Sequence, residues 1–153
     1  MTLNFRLEPH AVRTVDCADK AAVLSEMAAL LAYSYGHCEA DVLDGLNERE
    51  MLGSTGFGRG VALPHARLAG VEAPVAALLR LSSPVEFEAA DALPVNLVVG
   101  LLSSPTAGAA HLHALAAISR IVRDDARRTQ MIEAADEETL VALLTNAPER
   151  AVA

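Results

Sequence analysis

His65 closes the stretch GSTGFGRGVALPHARL (Gly53–Leu68), with Pro64 just before it and Arg67 two residues on. A neutral imidazole is a nucleophile, and proline fixes the backbone that carries it. Upstream, Gly53, Gly56, Gly58 and Gly60 fall within eight positions. Glycines that dense cost backbone entropy, yet they leave amide N–H groups open to cradle an anion. Ser54 and Thr55 add hydroxyls beside them, so Ser54, Thr55, Gly56 and Gly58 are the candidate phosphate support. Arg49, Arg59 and Arg67 bring planar cations that match phosphate geometry. Together these types predict a phosphoryl group held beside a histidine. The glycine pattern is not a Walker loop, because no GK[ST] follows, and it is not a dinucleotide fingerprint, because a strand and not a helix comes next.

The other histidines are His10, His37, His111 and His113. His10 and His37 lie in polar, loop-like contexts and carry no chemical signal. On a helix, His111 and His113 point about 200° apart, which prevents them from chelating one metal. Leu115, Ile118 and Val122 fall within about 40° of His111. His111 therefore points inward and His113 away. Alone, this suits a buried histidine bonded to a backbone carbonyl as well as a site residue. No carboxylate stands at metal-ligand spacing, and no metal or cofactor is expected. A metal hydrolase using His65 and His111, or a binding module that is never phosphorylated, is the reading from another class.

These side chains need a scaffold. Val23, Leu24, Met27, Leu30 and Leu31 mark a helix from Lys20 to Tyr35-Gly36, capped by Asp16 or Asp19. A second helix runs from Glu39 to Arg49, with Val42 and Leu46 on its buried stripe and Arg49 seven residues after Val42. Arg49 is thereby held next to the glycine-rich loop. Residues 1–15 are weakly patterned, with a short strand opening at Val15. Val61–Leu63 is a short strand, and 66–74 reads as loop. Val75–Leu81 and Val95–Leu102 are apolar strands of the kind buried on both faces, the first broken by Ser82-Ser83-Pro84. Helices follow over Ala109–Arg123, 126–134 and Glu137–Leu144, the last capped by Asp136, with a frayed tail from Asn146. The expected class is α/β: an α-β-α sandwich with a small mixed sheet flanked by helices.

The bulk numbers agree with that class. The 153 residues suit one domain spanning 1–153, with its core over about 5–145. Net charge is −8, which argues against a nucleic-acid footprint. Cys17 and Cys38 form no CxxC, so both are expected as buried or half-buried free thiols. The N-terminus has no apolar signal region, and the apolar runs are too short to span a membrane. A cytoplasmic protein without membrane insertion is expected.

GSTGFGRGVALPHARL resembles the phosphorylation-site signature of the enzyme IIA domains of the bacterial phosphoenolpyruvate-dependent phosphotransferase system, fructose/mannitol type. NEREMLGSTG, SSPVEFEAADALPVNLVVGLL and AHLHALAAISRIVRDD, in this order, resemble its nitrogen-regulatory branch, and the likeness covers residues 5–145. The resemblance implies that His65 is the phosphorylated histidine, His111 the second active-site histidine and Arg49 the arginine beside the phosphohistidine. It implies a phosphocarrier fed by HPr or its nitrogen-branch counterpart NPr, which regulates partner proteins by its phosphorylation state. The alternative it leaves open is a fructose/mannitol-type transport component that passes phosphate to a IIB domain. Two positions depart from the pattern. Arg59 stands where a small polar residue such as Asn is expected, which should raise the positive potential at the site, and Ala66 stands where glycine is common, which should stiffen the loop.

Overall fold

A computed structural model describes the backbone of residues 4–152 and the side chains of residues 4–145. In chain order the elements are β1 (Arg6–Val15), α1 (Lys20–Tyr35), α2 (Glu39–Met51), β2 (Gly56–Gly58), β3 (Val61–Ala62), β4 (His65–Arg67), β5 (Val75–Val85), β6 (Val95–Ser103), α3 (Ala109–Arg123), α4 (Asp125–Glu133) and α5 (Glu137–Val152). Their caps follow from residue chemistry. Asp19 accepts from the Ala22 amide, Gly36 takes the left-handed conformation at φ 75°, and Asp136 accepts from the Thr139 amide.

The strands form one mixed sheet in the order β1-β5-β6-β3-β2, with β4 also on β6. β6 runs antiparallel to β5 and parallel to β3 and β4, and β1 runs parallel to β5. All of β6 except Asn96 is buried, as a strand covered on both faces must be. Helices flank the sheet, which is the expected α/β sandwich. Gly100 allows one of those helices to approach closely: a Cβ there would run into the Met27 thioether of α1. The core continues through Leu78, Leu79, Leu97, Leu101, Leu102, Leu30 and Leu31, all fully buried, so aliphatic side chains do the work that aromatics do elsewhere.

Several expectations need correction. β1 begins at Arg6 and ends at Val15, whereas the sequence suggests a strand opening there. The irregularity between Leu7 and Val12 interrupts the pairing and blurs the alternation. Ser82-Ser83-Pro84 does not break β5. The strand continues to Val85, and the change of register between Arg80 and Val85 leaves those three residues exposed. Ala66 and Arg67 belong to β4 and not to a loop, because they pair with Leu102 and Ser103. α2 runs two residues past Arg49 to Met51. α5 extends beyond Leu144 to Val152, past Asn146, from which a frayed tail is expected. Cys17 is buried but Cys38, just before α2, is exposed.

Candidate functional site

The end of α2 builds the loop that leads to His65. Val42, Leu46 and Glu50 repeat at four-residue spacing, and Glu50 is buried with them, at 9% exposure. A carboxylate there needs partners. The Thr55 amide donates to it at 2.8 Å, the Thr55 hydroxyl donates to its other oxygen, and Lys20 Nζ pairs with it at 2.9 Å. Lys20 itself stands 4.8 Å from the centre of the Phe87 ring and also reaches Glu88. Glu50 thus ties three segments together: the start of α1, the end of α2 and the glycine-rich loop. Arg49, its neighbour, stays half-buried at the helix edge and donates to the Gly53 carbonyl at 2.8 Å.

The remaining loop contacts lead to the imidazole. The Ser54 hydroxyl donates to the Phe87 carbonyl at 2.7 Å and accepts from the Gly56 amide at 3.1 Å. The Leu63 amide donates to the Thr55 carbonyl at 3.0 Å, and the Leu63 carbonyl accepts from His65 Nδ1 at 2.7 Å. A carbonyl only accepts, so Nδ1 carries the proton and Nε2 keeps its lone pair. A hollow of about 240 Å³ is lined by His65, Arg49, Ser54, Thr55, Phe57, Leu63, Leu115, Ser119 and Arg123. The structure therefore brings His65, Arg49, Ser54 and Thr55 together, but both hydroxyl protons point into the protein. Gly56 and Gly58 shape the strand turn beside them. A Cβ on Gly56 would press on Ala89, and Gly58, at φ 114°, would meet the Asp91 carboxylate.

His111 comes from the first turn of α3 and is buried, at 5% exposure, with its ring centre 5.3 Å from that of His65. Its partner is the Ser103 hydroxyl, 2.7 Å from Nδ1, and not a backbone carbonyl. His113 is exposed, as the helical spacing requires. Three contributors escape the sequence: Glu50, Ser103 and Arg123. For two of them a signal was there. Glu50 continues the Val42-Leu46 stripe, and Arg123 stands four residues past Ser119 and eight past Leu115, on one face of α3. Among the described residues, no group of three or more His, Cys, Asp or Glu side chains is gathered to hold a metal ion.

Residues 7–147 match the family described as "Phosphoenolpyruvate-dependent sugar phosphotransferase system, EIIA 2". The chain belongs to this family. Within it, the EIIA chain is similar to proteins named nitrogen regulatory protein. One from Bradyrhizobium diazoefficiens is 39% identical over 132 residues, covering 86% of each chain. One from Pseudomonas aeruginosa is 40% identical over 121 residues, covering 75% of this chain and 79% of the relative. The crystal structure of nitrogen regulatory protein IIA-Ntr from Neisseria meningitidis superposes with a TM-score of 0.85 at 34% identity, covering 91% of this chain and 96% of that one. Among the described residues no helix is long and apolar enough to cross a membrane.

The two departures of this EIIA chain have structural accounts. Arg59 has φ 60°, a left-handed conformation that Asn tolerates better than Arg. Its amide donates to Asp91 at 2.9 Å and its guanidinium pairs with Asp125 at 3.1 Å, which offsets the strain. Asp125 also binds Arg128, so one carboxylate is shared by two guanidiniums: the Arg59 charge is drawn toward α4 but only partly offset there. Ala66 packs its methyl toward Gly45 of α2 from within β4, so it sets a helix-strand distance and does not stiffen a loop.

Both imidazoles, His65 and His111, are held below the ordinary histidine range. For His65 burial is the largest cause, and Arg49 and Arg67 add to it against the Leu63 bond and Glu50. His111 is pushed down to about 4 by burial first, then by Arg67 and His65. Folding thus favours the uncharged rings. A depressed folded value means stability that is complete above the unfolded value near 6.5 and lost as pH falls toward 4. Between pH 7 and 5 the unfolding free energy is expected to drop by about 2 kcal/mol through His111 alone. Urea unfolding of the wild type and His111→Gln at stepped pH checks this. The variant should lose that part of the slope, and equal slopes would mean that His111 is solvated in the folded chain.

Proposed function

We propose that this protein is a phosphocarrier of the nitrogen-related phosphotransferase system, taking a phosphoryl group from an HPr-like carrier (HPr or NPr) onto His65. Its phosphorylation state then governs which partner proteins it binds. The observation that carries this reading is the tautomer of His65. With Nδ1–H engaged by the Leu63 carbonyl, neutral Nε2 has a free lone pair at a hollow rimmed by Arg49 and Arg123.

In the transfer, Nε2 attacks phosphorus in line as the carrier's N–P bond breaks. The leaving electron pair returns to the carrier's imidazole. The phosphoryl oxygens are met by the Arg49 guanidinium, whose anchor on Gly53 leaves other N–H groups free to donate, and by His111. Positioning and charge stabilisation are what phosphoryl transfer demands of a protein. The depressed His65 value keeps the nucleophile deprotonated at neutral pH. The similarity to nitrogen regulatory proteins supports the regulatory branch.

The test is to mix the protein with phosphoenolpyruvate, enzyme I and the carrier, and to follow its intact mass. A gain of one acid-labile phosphoryl group is expected. No gain with a carrier competent on a control protein would overturn the reading. Onward transfer to a sugar-specific IIB domain would make it a transport component instead.

A further inference from the structure

Ser103 is the last residue of β6 and is wholly buried. It pairs in register with Arg67 of β4, and its carbonyl accepts from the Leu68 amide at 2.8 Å. Of the eight β6 residues before it, all are apolar or glycine except Asn96, near the start of the strand. A hydroxyl at the end of such a strand needs a partner. Among the described residues, its oxygen contacts one group, Nδ1 of His111, at 2.7 Å.

That contact has two possible directions, and burial decides between them. A neutral imidazole carries one N–H. If it were on Nδ1, the serine would accept and its own proton would be left without an acceptor in a site closed to water. If the serine donates to Nδ1, both groups are satisfied, and the ring proton lies on Nε2, at the opposite edge. The ring is uncharged at neutral pH, as its burial beside Arg67 and His65 requires.

We propose that Ser103 is a positioning residue for phosphoryl transfer: its buried hydroxyl fixes His111 as the Nε2–H tautomer, a neutral donor for the phosphoryl group on His65. The two rings then hold opposite tautomers, 5.3 Å apart between centres. His65 shows a lone pair at Nε2 because a carbonyl claims Nδ1–H. His111 shows a proton at Nε2 because a hydroxyl claims the Nδ1 lone pair. One ring attacks and the other stabilises charge, without either becoming an imidazolium. This assignment rests on the carrier reading for its purpose, but not for its geometry.

Ring 15N–1H correlation spectra of the wild type at pH 7 test the geometry directly. They should show Nε2–H on His111 and Nδ1–H on His65. A protonated Nδ1 on His111 would overturn the proposal, whatever the variants do. In Ser103→Ala the His111 ring should become a mixture of tautomers. Its phosphoryl uptake should slow by roughly tenfold to a hundredfold, the range for losing an orienting partner, with carrier affinity unchanged. Ser103→Thr, which keeps the hydroxyl, should restore both tautomer and rate. Wild-type transfer by Ser103→Ala would sink the assignment. If that variant does not fold, the wild-type spectra and Ser103→Thr still decide. Absence of uptake by the wild type counts against the carrier reading, while the spectra judge Ser103 separately.

Discussion

A His65→Ala chain is expected to take up no phosphoryl group from a competent carrier, while keeping the wild-type fold. The ring is half-buried and, among the described residues, makes one protein hydrogen bond, to the Leu63 carbonyl. Losing that bond costs on the order of 1 kcal/mol, small beside the stability of a typical domain. The chemistry has no substitute. His111 is the nearest other imidazole, but it is buried and its Nδ1 is engaged by Ser103. Arg49→Met should still be phosphorylated, more slowly by about 10²–10³-fold, the usual cost of removing one donor to developing charge. Arg49→Lys should recover only part of that rate, because a point charge cannot reproduce a planar fork that is also anchored on Gly53. Intact mass against time reads all three. Phosphorylated His65→Ala would move the acceptor elsewhere.

The largest effect on stability is expected from Lys20→Met. Lys20 is 20% exposed by side chain and Glu50 only 5%, so removing the ammonium strands a buried carboxylate. Breaking one side of such a pair costs about 3 kcal/mol or more. The two Thr55 donors remain, which keeps the expected loss near the lower end. Adding Glu50→Gln to Lys20→Met should restore part of the loss. The amide oxygen can still accept from the Thr55 amide, and no buried charge is left without a partner, since Glu88 is exposed to water. Urea unfolding of the single and double variants measures this. Losses that simply add would show that Lys20 and Glu50 are not coupled. The alkaline limb gives a separate check. Burial alone lowers the Lys20 value, but the bonds to Glu50 and Glu88 outweigh it and leave it raised. That stabilisation is complete below the unfolded value near 10.5 and is lost as pH climbs through the higher folded one.

Much of this site was legible because its signals are local. Four glycines, a proline and a histidine in one stretch announce a presented imidazole, and helical spacing turns His111 inward and His113 out. Arg49 follows from the length of α2 and the chain joining it to the loop. The long strands β5 and β6 were legible from their apolar runs. β1 was not, since an irregular register between Leu7 and Val12 hides a strand from period-two reasoning. The hydroxyls of Ser54 and Thr55 were legible as residues near an anion, but their direction was not. Composition places a donor near a site, and only packing decides where its proton points.

The sequence by itself determined the candidate groups: one presented imidazole, a flanking arginine, a second inward histidine and a glycine-rich loop. These follow from residue type and from spacing along one element. The tertiary structure decided which nitrogen of each ring is protonated and what anchors the loop. Two of these partners lie in other elements, Ser103 for His111 and Lys20 for Glu50, while the Leu63 carbonyl, only two residues from His65, reaches its Nδ1 through the course of the backbone between β3 and β4. A hydrogen bond's direction depends on which group faces it and on whether water can compete, and both are properties of the folded core.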